Sequence, residues 1–320
     1  AAAPEAPVAA PEAPVAAPAP SSPTPEVEPP LPLRTTKIVK RAIDIDAEKA
    51  RDPRYASTYA KDIYAFRKRH ELLYRPTGDY LKNFQEDITP NMRAILVDWL
   101  VEVAEEYTLK QETLFTSVNY IDRCLGLFQV TRHKLQLLGC ACMLIAAKYE
   151  EIYAPCVEEF VYISDNTYTH DQVLRYEGKV LGALKFKLTV CTPMTFLPRF
   201  LRAANAEDKA KASYSQDKSN RLKCLTMYLT ELGLQDYGMV HFRQSMIAAA
   251  AISLARKTLR FGEIWHYTLE HYSGYSLDEL STCERKLHQC HRKANGDKLQ
   301  AIKRKNGGID FLRISTVVEP

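Results

Sequence analysis

The stretch LQLLGCACMLIAAKYEEIY, residues 135–153, decides the fold of this chain. Its first thirteen residues are apolar or small, with Gln136 as the one polar side chain. A helix that is apolar on all sides must be buried on all sides. Thirteen residues are too few to cross a bilayer, which needs about 18–20. The stretch therefore predicts the central helix of an all-helical domain. Four small residues would let neighbouring helices pack closely against it: Gly139, Ala141, Ala146 and Ala147.

Charged residues inside apolar helical stripes predict ion pairs around this central helix. Glu177 lies one turn after Val173, and Asp122 and Arg93 interrupt the apolar stripes of their own helices. Breaking a buried ion pair typically costs about 3–5 kcal/mol, so each of these ions needs a partner. We expect Arg93 to pair with Asp122, and Lys148 with Glu177. Both pairs could be buried cross-links, but Lys148 stands beside charged and aromatic residues, which also suits contact with another chain.

The composition excludes several classes of protein. The 320 residues are enough for one large or two ordinary domains, and 46% hydrophobic with 26% charged residues is typical of soluble globular proteins. A net charge of +4 is too small to predict nucleic-acid binding. The sequence has no membrane span and no secretory signal. The eight cysteines form no CxxC pair, so we expect free buried thiols in a reducing compartment.

No motif predicts catalysis or a cofactor. The sequence has no Gly-rich phosphate loop, no Cys/His metal-ligand spacing and no nucleophile elbow. We therefore expect no catalytic residue, no metal and no cofactor. Five histidines of the second half fall at predicted helix surfaces and are expected to be solvated: His241, His266, His271, His288 and His291.

Residues 1–51 predict a disordered arm and linker ahead of the folded part. Residues 1–33 hold eleven of the eighteen prolines and contain APEAPVA twice in succession, a composition that cannot bury a core. Ser22 and Thr24 each precede a proline, which makes them minimal sites for proline-directed kinases. A single helix within residues 52–78 is then expected to precede the main body.

The second half of the chain repeats the first. MIAAAAISLARKT, residues 246–258, is another helix of small apolar residues, and its Arg256 is expected to correspond to Lys148. Capping boxes begin at Thr169 and at Ser276, and in each copy a glutamate follows the cap by eight residues. The repeat predicts two tandem five-helix bundles: residues 79–190 and residues 191–315.

Four segments closely resemble the cyclin box of A- and B-type mitotic cyclins: MRAILVDWLVEV (92–103), NYIDRCL (119–125), KLQLLGCACMLIAAKYEEIYAP (134–155) and EFVYISDNTYT (159–169). The sequence EFVYISD, residues 159–165, is more similar to A-type than to B-type cyclins, and the B-type is the alternative. The resemblance is strong over residues 55–190 and weaker over 191–315. Cyclin-box transcription factors are a distant alternative. They carry a zinc ribbon and a basic DNA-binding surface, whereas this sequence has no zinc-ligand spacing and only a modest net charge.

The resemblance implies a non-catalytic regulatory subunit of a cyclin-dependent Ser/Thr kinase, present in nucleus and cytoplasm, with no direct binding to nucleic acid or membrane. Cyclins push the C-helix of the kinase inward, which aligns its Lys–Glu pair and reorders its activation loop. The residues that match the family's kinase contacts are Lys148, Tyr149, Glu150, Glu151, Ile152, Tyr153 and Glu177. Three residues depart from the family pattern, and none is expected to abolish binding: Cys124 and Tyr149 for Phe, and Ala154 for Pro.

The resemblance also implies a binding function for the helix predicted at 91–107, whose apolar arc is wider than one core contact requires. In mitotic cyclins a groove on this helix receives Arg-x-Leu segments of substrates and inhibitors. The matching residues are Met92, Ile95, Leu96, Trp99, Leu135 and Gln136, with Glu102 facing the arginine. The apolar pattern alone favours core positions for Met92 and Trp99, whereas the resemblance favours docking. Core positions are expected further along the arc: Leu100, Val101 and Ala104.

The arm contains neither Arg-x-x-Leu nor Lys-Glu-Asn, so no degradation element is expected there.

Overall fold

The computed structural model describes residues 41–76, 78–209 and 214–317, and within them all regular secondary structure is helical. The predicted all-α class with two tandem bundles is confirmed. Residues 1–40 of the predicted arm, which include Ser22 and Thr24, lie outside the described residues. The α-helices are α1 (Ala60–His70), α2 (Tyr80–Asn83), α3 (Pro90–Glu106), α4 (Gln111–Leu125), α5 (Arg132–Glu150), α6 (Val157–Ile163), α7 (His170–Leu184), α8 (Pro193–Lys209), α9 (Gln216–Gln235), α10 (Gln244–Thr258), α11 (Tyr267–Ser273), α12 (Leu277–Ala294) and α13 (Ala301–Lys305). Short 3₁₀ helices lie at Ala47–Lys49, Pro53–Tyr55, Tyr237–His241, Ile309–Phe311 and Ile314–Thr316.

Side-chain caps set the start of three long helices. The Thr89 hydroxyl accepts a hydrogen bond from the Met92 backbone N–H, and Pro90 occupies the first turn of α3, where its missing N–H has no consequence. Thr169 and Ser276 form complete capping boxes at the starts of α7 and α12. A cap of this kind contributes about 1 kcal/mol, so the start of each helix has a local physical cause.

Helix α5 is the centre of the first bundle, which comprises α3 to α7. Every residue from Leu137 to Ala147 is buried, and α5 packs against α3, α4, α6 and α7. A Cβ atom at Gly139 would lie 2.8 Å from Leu96 Cδ1, so the glycine allows α3 to approach this closely. The predicted buried central helix is therefore confirmed.

Helix α10 has the same place in the second bundle, which comprises α8 to α12. It is buried without interruption from Ile247 to Arg256, and it packs against α8, α9 and α12. The two bundles meet where α3 packs against α9 and where α4 packs against α8. The repeat in the sequence is thus a repeat of a helical bundle around a central helix.

Two segments without a local structural signal in the sequence pack onto these bundles. Residues 41–51, predicted as linker, bury Ile45, and the Asp46 carboxylate forms a two-bond ion pair with Arg199 of α8 at 2.6 and 2.7 Å. The tail from residue 294, predicted to have little periodicity, contains α13, which packs against α3 and α9. In the described part of the chain, no helix has both the length and the apolar character that crossing a membrane requires.

Candidate functional site

The end of α5 and the middle of α7 bring Lys148 and Glu177 together. Val173 and Val180 are buried in the bundle, and Glu177 lies between them on the same side of α7. Lys148 Nζ donates a hydrogen bond to Glu177 Oε1 at 2.7 Å. The lysine side chain is 49% exposed and the glutamate side chain 12%. Because an ammonium group has three donors, Lys148 can still donate to another molecule while Glu177 holds it.

The loop after α5 carries two exposed apolar side chains beside this pair. Ile152 is 84% exposed and Tyr153 is 92% exposed. Glu151 anchors the loop, because its carboxylate accepts hydrogen bonds from the Lys110 backbone N–H at 2.7 Å and from the Thr113 hydroxyl. Burial acts to raise the pKa of Glu151, but these bonds outweigh it and hold the pKa below its usual value. The anchored loop therefore presents Ile152 and Tyr153 to solvent.

Tyr149 and Glu150 complete this surface. The Tyr149 hydroxyl is hydrogen-bonded to the Thr189 hydroxyl. The Glu150 carbonyl oxygen accepts a hydrogen bond from Lys110 Nζ at 2.7 Å, and burial raises the pKa of the Glu150 carboxyl group. The structure thus places the seven residues predicted to contact a kinase at the end of α5, in its following loop and on α7. Lys110 and Thr113 had no signal in the sequence, because they reach Glu151 across 41 and 38 residues.

Arg93 and Asp122 form a second ion pair, which is buried. Arg93 Nε and Nη2 donate to the two carboxylate oxygens at 2.6 and 2.7 Å, and Nη1 donates to the Leu234 carbonyl oxygen at 2.8 Å. The Tyr80 hydroxyl donates to the same carboxylate at 2.6 Å. Burial acts to lower the pKa of Arg93, but Asp122 outweighs it and raises that pKa. Because Leu234 belongs to α9, this pair ties the two bundles together.

The residues predicted to form a docking groove on α3 and α5 surround one depression of about 350 Å³. Its lining consists of Met92, Ile95, Leu96, Trp99, Arg132, Leu135 and Gln136. Leu96 and Leu135 are buried at its base, and Ile95 is half-exposed. Met92 and Trp99 are partly buried against the core and also line the groove. The core residues predicted further along α3 are buried: Leu100, Val101 and Ala104.

Glu102 does not line this groove. Its carboxylate forms an ion pair with Arg304 of α13, on an acidic edge of α3 that Glu105 and Glu106 extend. That Glu102 faces the arginine of a ligand stays a prediction, since an arginine of the chain itself contacts the carboxylate. Arg304 was not among the residues predicted from the sequence, although the basic run 303–305 is complementary in charge to this edge.

The counterpart of Lys148 in the second bundle is Lys257, and the predicted correspondence with Arg256 is wrong. Lys257 Nζ contacts Glu284 Oε1. Arg256 is fully buried and donates to Asp208 at 2.7 Å and to three backbone carbonyl oxygens. Adjacent helical residues point about 100° apart, and spacing along the sequence does not decide which of two neighbouring cations faces the glutamate.

Two of the five histidines predicted to be solvated are buried. His266 caps α11 and is hydrogen-bonded to the Ala204 carbonyl oxygen, and burial lowers its pKa. His291 packs edge-on against Tyr228. The cysteines are free, and six of the eight are buried. Across the described ranges, no group of three His, Cys, Asp or Glu side chains is arranged to hold a metal ion.

Comparison with known proteins identifies the family. Residues 62–189 match the family described as "Cyclin, N-terminal domain", and residues 191–320 match "Cyclin, C-terminal domain". The chain is 47% identical over 255 residues to Cyclin-A1-2 of Oryza sativa subsp. japonica, an alignment that covers 79% of this chain and 52% of the relative. It is 47% identical over 261 residues to the G2/mitotic-specific cyclin-A of Hydra viridissima, covering 81% and 59%. The chain thus spans about half the length of the curated relatives it matches.

A solved structure has a similar fold. The viral cyclin from herpesvirus saimiri superimposes with a TM-score of 0.61 and 23% sequence identity, over 71% of this chain and 95% of the viral one. At that identity the likeness concerns the fold alone. The two family matches together span most of the chain and meet between the two bundles. The chain therefore belongs to the cyclin family, and the relatives that it resembles are A-type cyclins.

Proposed function

We propose that this chain is a regulatory subunit that binds and activates a cyclin-dependent Ser/Thr protein kinase and has no catalytic residue of its own. The observation that carries the proposal is the surface formed by the Lys148–Glu177 pair together with the exposed side chains of Ile152 and Tyr153. In the cyclins that this sequence resembles, residues at these positions contact the kinase beside its C-helix.

This surface combines two kinds of contact that a regulatory subunit needs. Lys148 and Glu177 offer a donor and an acceptor to the backbone of a partner, and Ile152 and Tyr153 offer apolar area for burial. Moving a kinase from about 1% to about 99% active requires about 5.5 kcal/mol of differential binding. An interface of standard size, about 1,600 Å² in total, is large enough to supply that difference.

Activation of a purified cyclin-dependent kinase tests this proposal. The wild-type chain is expected to raise histone phosphorylation, and Lys148→Glu is expected to abolish the rise. The substitution removes the donor and places a second carboxylate beside Glu177. A thermal melt of the variant checks that it remains folded. A wild-type chain that leaves the kinase at its basal rate contradicts the proposal.

We further propose that the groove on α3 recruits Arg-x-Leu segments of kinase substrates and inhibitors. Five of the seven residues that line the groove are apolar or aromatic, which suits a leucine. Glu102 lies one turn beyond Trp99 on the same face of α3. In an extended segment, the Arg and Leu side chains of Arg-x-Leu point to the same side, about 7 Å apart. A leucine in the groove therefore leaves the arginine within reach of the acidic edge of α3.

Trp99→Ala is expected to weaken the binding of an Arg-x-Leu peptide about 30-fold, or about 2 kcal/mol, because it removes a large part of the groove wall. Fluorescence anisotropy of a labelled peptide measures this affinity. Activation of the kinase towards a substrate without Arg-x-Leu is the control and should not change. Equal peptide affinity of variant and wild type would exclude docking in this groove.

A further inference from the structure

Helix α13 lies against the acidic edge of α3, next to the proposed docking groove. The Ala301 backbone N–H donates to the Asp98 carboxylate at 3.1 Å. Lys305 and Asn306 both contact the fully buried carboxylate of Glu231. These contacts hold α13 in place without any contribution from the residue between them, Arg304.

Arg304 forms an exposed ion pair, unlike the buried contacts of its neighbours. Its Nη2 forms an ion pair with Glu102 Oε1, and the two side chains are 68% and 47% exposed. Exposed pairs of this kind contribute little to stability and are weakened by salt. The contact is therefore not needed for the fold, and another cation can displace Arg304 from Glu102.

The position of Glu102 relates this ion pair to the groove. Ile95, Trp99 and Glu102 are spaced by four and three residues, which puts them on one face of α3. Ile95 and Trp99 line the groove, and Glu102 lies about 4.5 Å further along the helix axis than Trp99. The Glu102 carboxylate is thus the first anion beyond Trp99 along this face of α3.

We propose that Arg304 competes, within the chain, with the arginine of Arg-x-Leu segments for the Glu102 carboxylate. This inference rests on the docking function proposed above. In the free chain Arg304 occupies Glu102, and it has to leave when a segment places its own arginine there. The contact therefore lowers the affinity for segments that depend on their arginine, and favours segments that are held mainly by apolar side chains in the groove.

Substitution of Arg304 tests the competition by anisotropy titration of a labelled Arg-x-Leu peptide. Arg304→Gln is expected to tighten binding about two- to fivefold at low salt, which is the range that an exposed ion pair allows. The gain should shrink as salt is added. Arg304→Lys keeps the positive charge and should bind the peptide with the affinity of the wild type. Lys303→Gln removes the same charge from the same helix and is expected to leave the affinity nearly unchanged.

The outcomes separate this inference from the docking function. In a Glu102→Gln background, the gain from Arg304→Gln should disappear. Unchanged or weaker binding by Arg304→Gln, or an equal gain from Lys303→Gln, overturns the inference, while sensitivity to Trp99→Ala shows that docking itself still holds. Peptide binding that is insensitive to Trp99→Ala overturns the docking function and the inference with it.

Discussion

The two bundles carry the same lysine–glutamate pair at the end of their central helices. Lys148 and Glu177 join α5 to α7, and Lys257 and Glu284 join α10 to α12. Both glutamate side chains are 12% exposed, and the lysine side chains are 49% and 38% exposed. In each bundle the glutamate follows its helix cap by eight residues. The pairs themselves are thus nearly equivalent.

The surroundings of the two pairs differ. In the first bundle Ile152 and Tyr153 project into solvent beside the lysine. In the second bundle the aromatic ring that follows the central helix, Phe261, is covered by the cations of Lys218 and Arg256, which lie 4.2 and 4.3 Å from the ring centroid. The first surface has apolar area left for a partner, and the second uses its aromatic ring within the chain.

The glutamate of the second pair is also more fully engaged. Glu284 accepts a hydrogen bond from the Ser253 hydroxyl at 2.6 Å in addition to its contact with Lys257. A duplicated bundle can therefore keep the same cross-link in both copies. In the proposed function, the exposed apolar area around the first pair is what distinguishes it from the second pair as a surface for a partner.

The largest expected effect concerns Arg256, which occupies the position that Ala147 holds in the first bundle when the two lysines are matched. Arg256→Ala is expected to lower the free energy of unfolding by about 3–5 kcal/mol, because interior carboxylate and carbonyl oxygens lose their donor. Lys148→Ala, at a half-exposed pair, should cost less than about 1 kcal/mol. Urea denaturation measures both. If Arg256→Ala lowers the free energy of unfolding by less than Lys148→Ala does, the structural role assigned to Arg256 is contradicted.

A smaller loss of stability per residue is expected in both bundles at alkaline pH, where buried thiols ionise. Burial raises the pKa of Cys140 in α5, and of Cys283 and Cys290 in α12, to about 12 from the usual 9. The stability that these neutral thiols provide is complete below pH 9 and is lost as the pH rises from 9 to 12. At pH 10 the loss is about 1.4 kcal/mol per thiol. Burial lowers the pKa of Lys68 to about 8, which acts in the opposite direction between pH 8 and 10.5, so the net loss of stability is smaller than the sum over the thiols.

The two tryptophans allow this pH effect to be measured in each bundle. Trp99 belongs to α3 and Trp265 lies just before α11, so Trp265→Phe and Trp99→Phe each leave one fluorescent reporter. Urea unfolding at pH 9 and pH 10 should show a net loss of stability with both reporters. Constant or rising stability at pH 10 in either bundle would contradict the role assigned to its buried thiols.

The parts of the fold that could be predicted from the sequence have a local cause. The helices α5 and α10 are apolar and small on all sides, and capping boxes begin α7 and α12. The pairing of Lys148 with Glu177 could be predicted because a charge inside an apolar stripe requires a partner. The groove lining could be predicted only with the resemblance, since the apolar pattern alone favours core positions for Met92 and Trp99.

The remaining contacts join residues that are distant in the sequence. Asp46 contacts Arg199 across 153 residues, and Glu102 contacts Arg304 across 202 residues. Local periodicity carries no information on such pairs, so the segment before α1 and the helix α13 could not be placed. The choice of Lys257 over its neighbour depended on a rotation of about 100° around α10, which spacing along the chain does not resolve.

Two matched neutral substitutions test whether the first pair, and not the second, is the kinase contact. Lys148→Met and Lys257→Met remove the same group from equivalent positions, and the affinity of each variant for a purified cyclin-dependent kinase is measured by titration. We expect Lys148→Met to weaken binding about 30- to 1,000-fold, as for loss of one partner of a charge pair that the bound kinase would desolvate, and Lys257→Met to bind within about twofold of wild type. Equal losses in the two variants, or undiminished binding by Lys148→Met, would contradict this assignment.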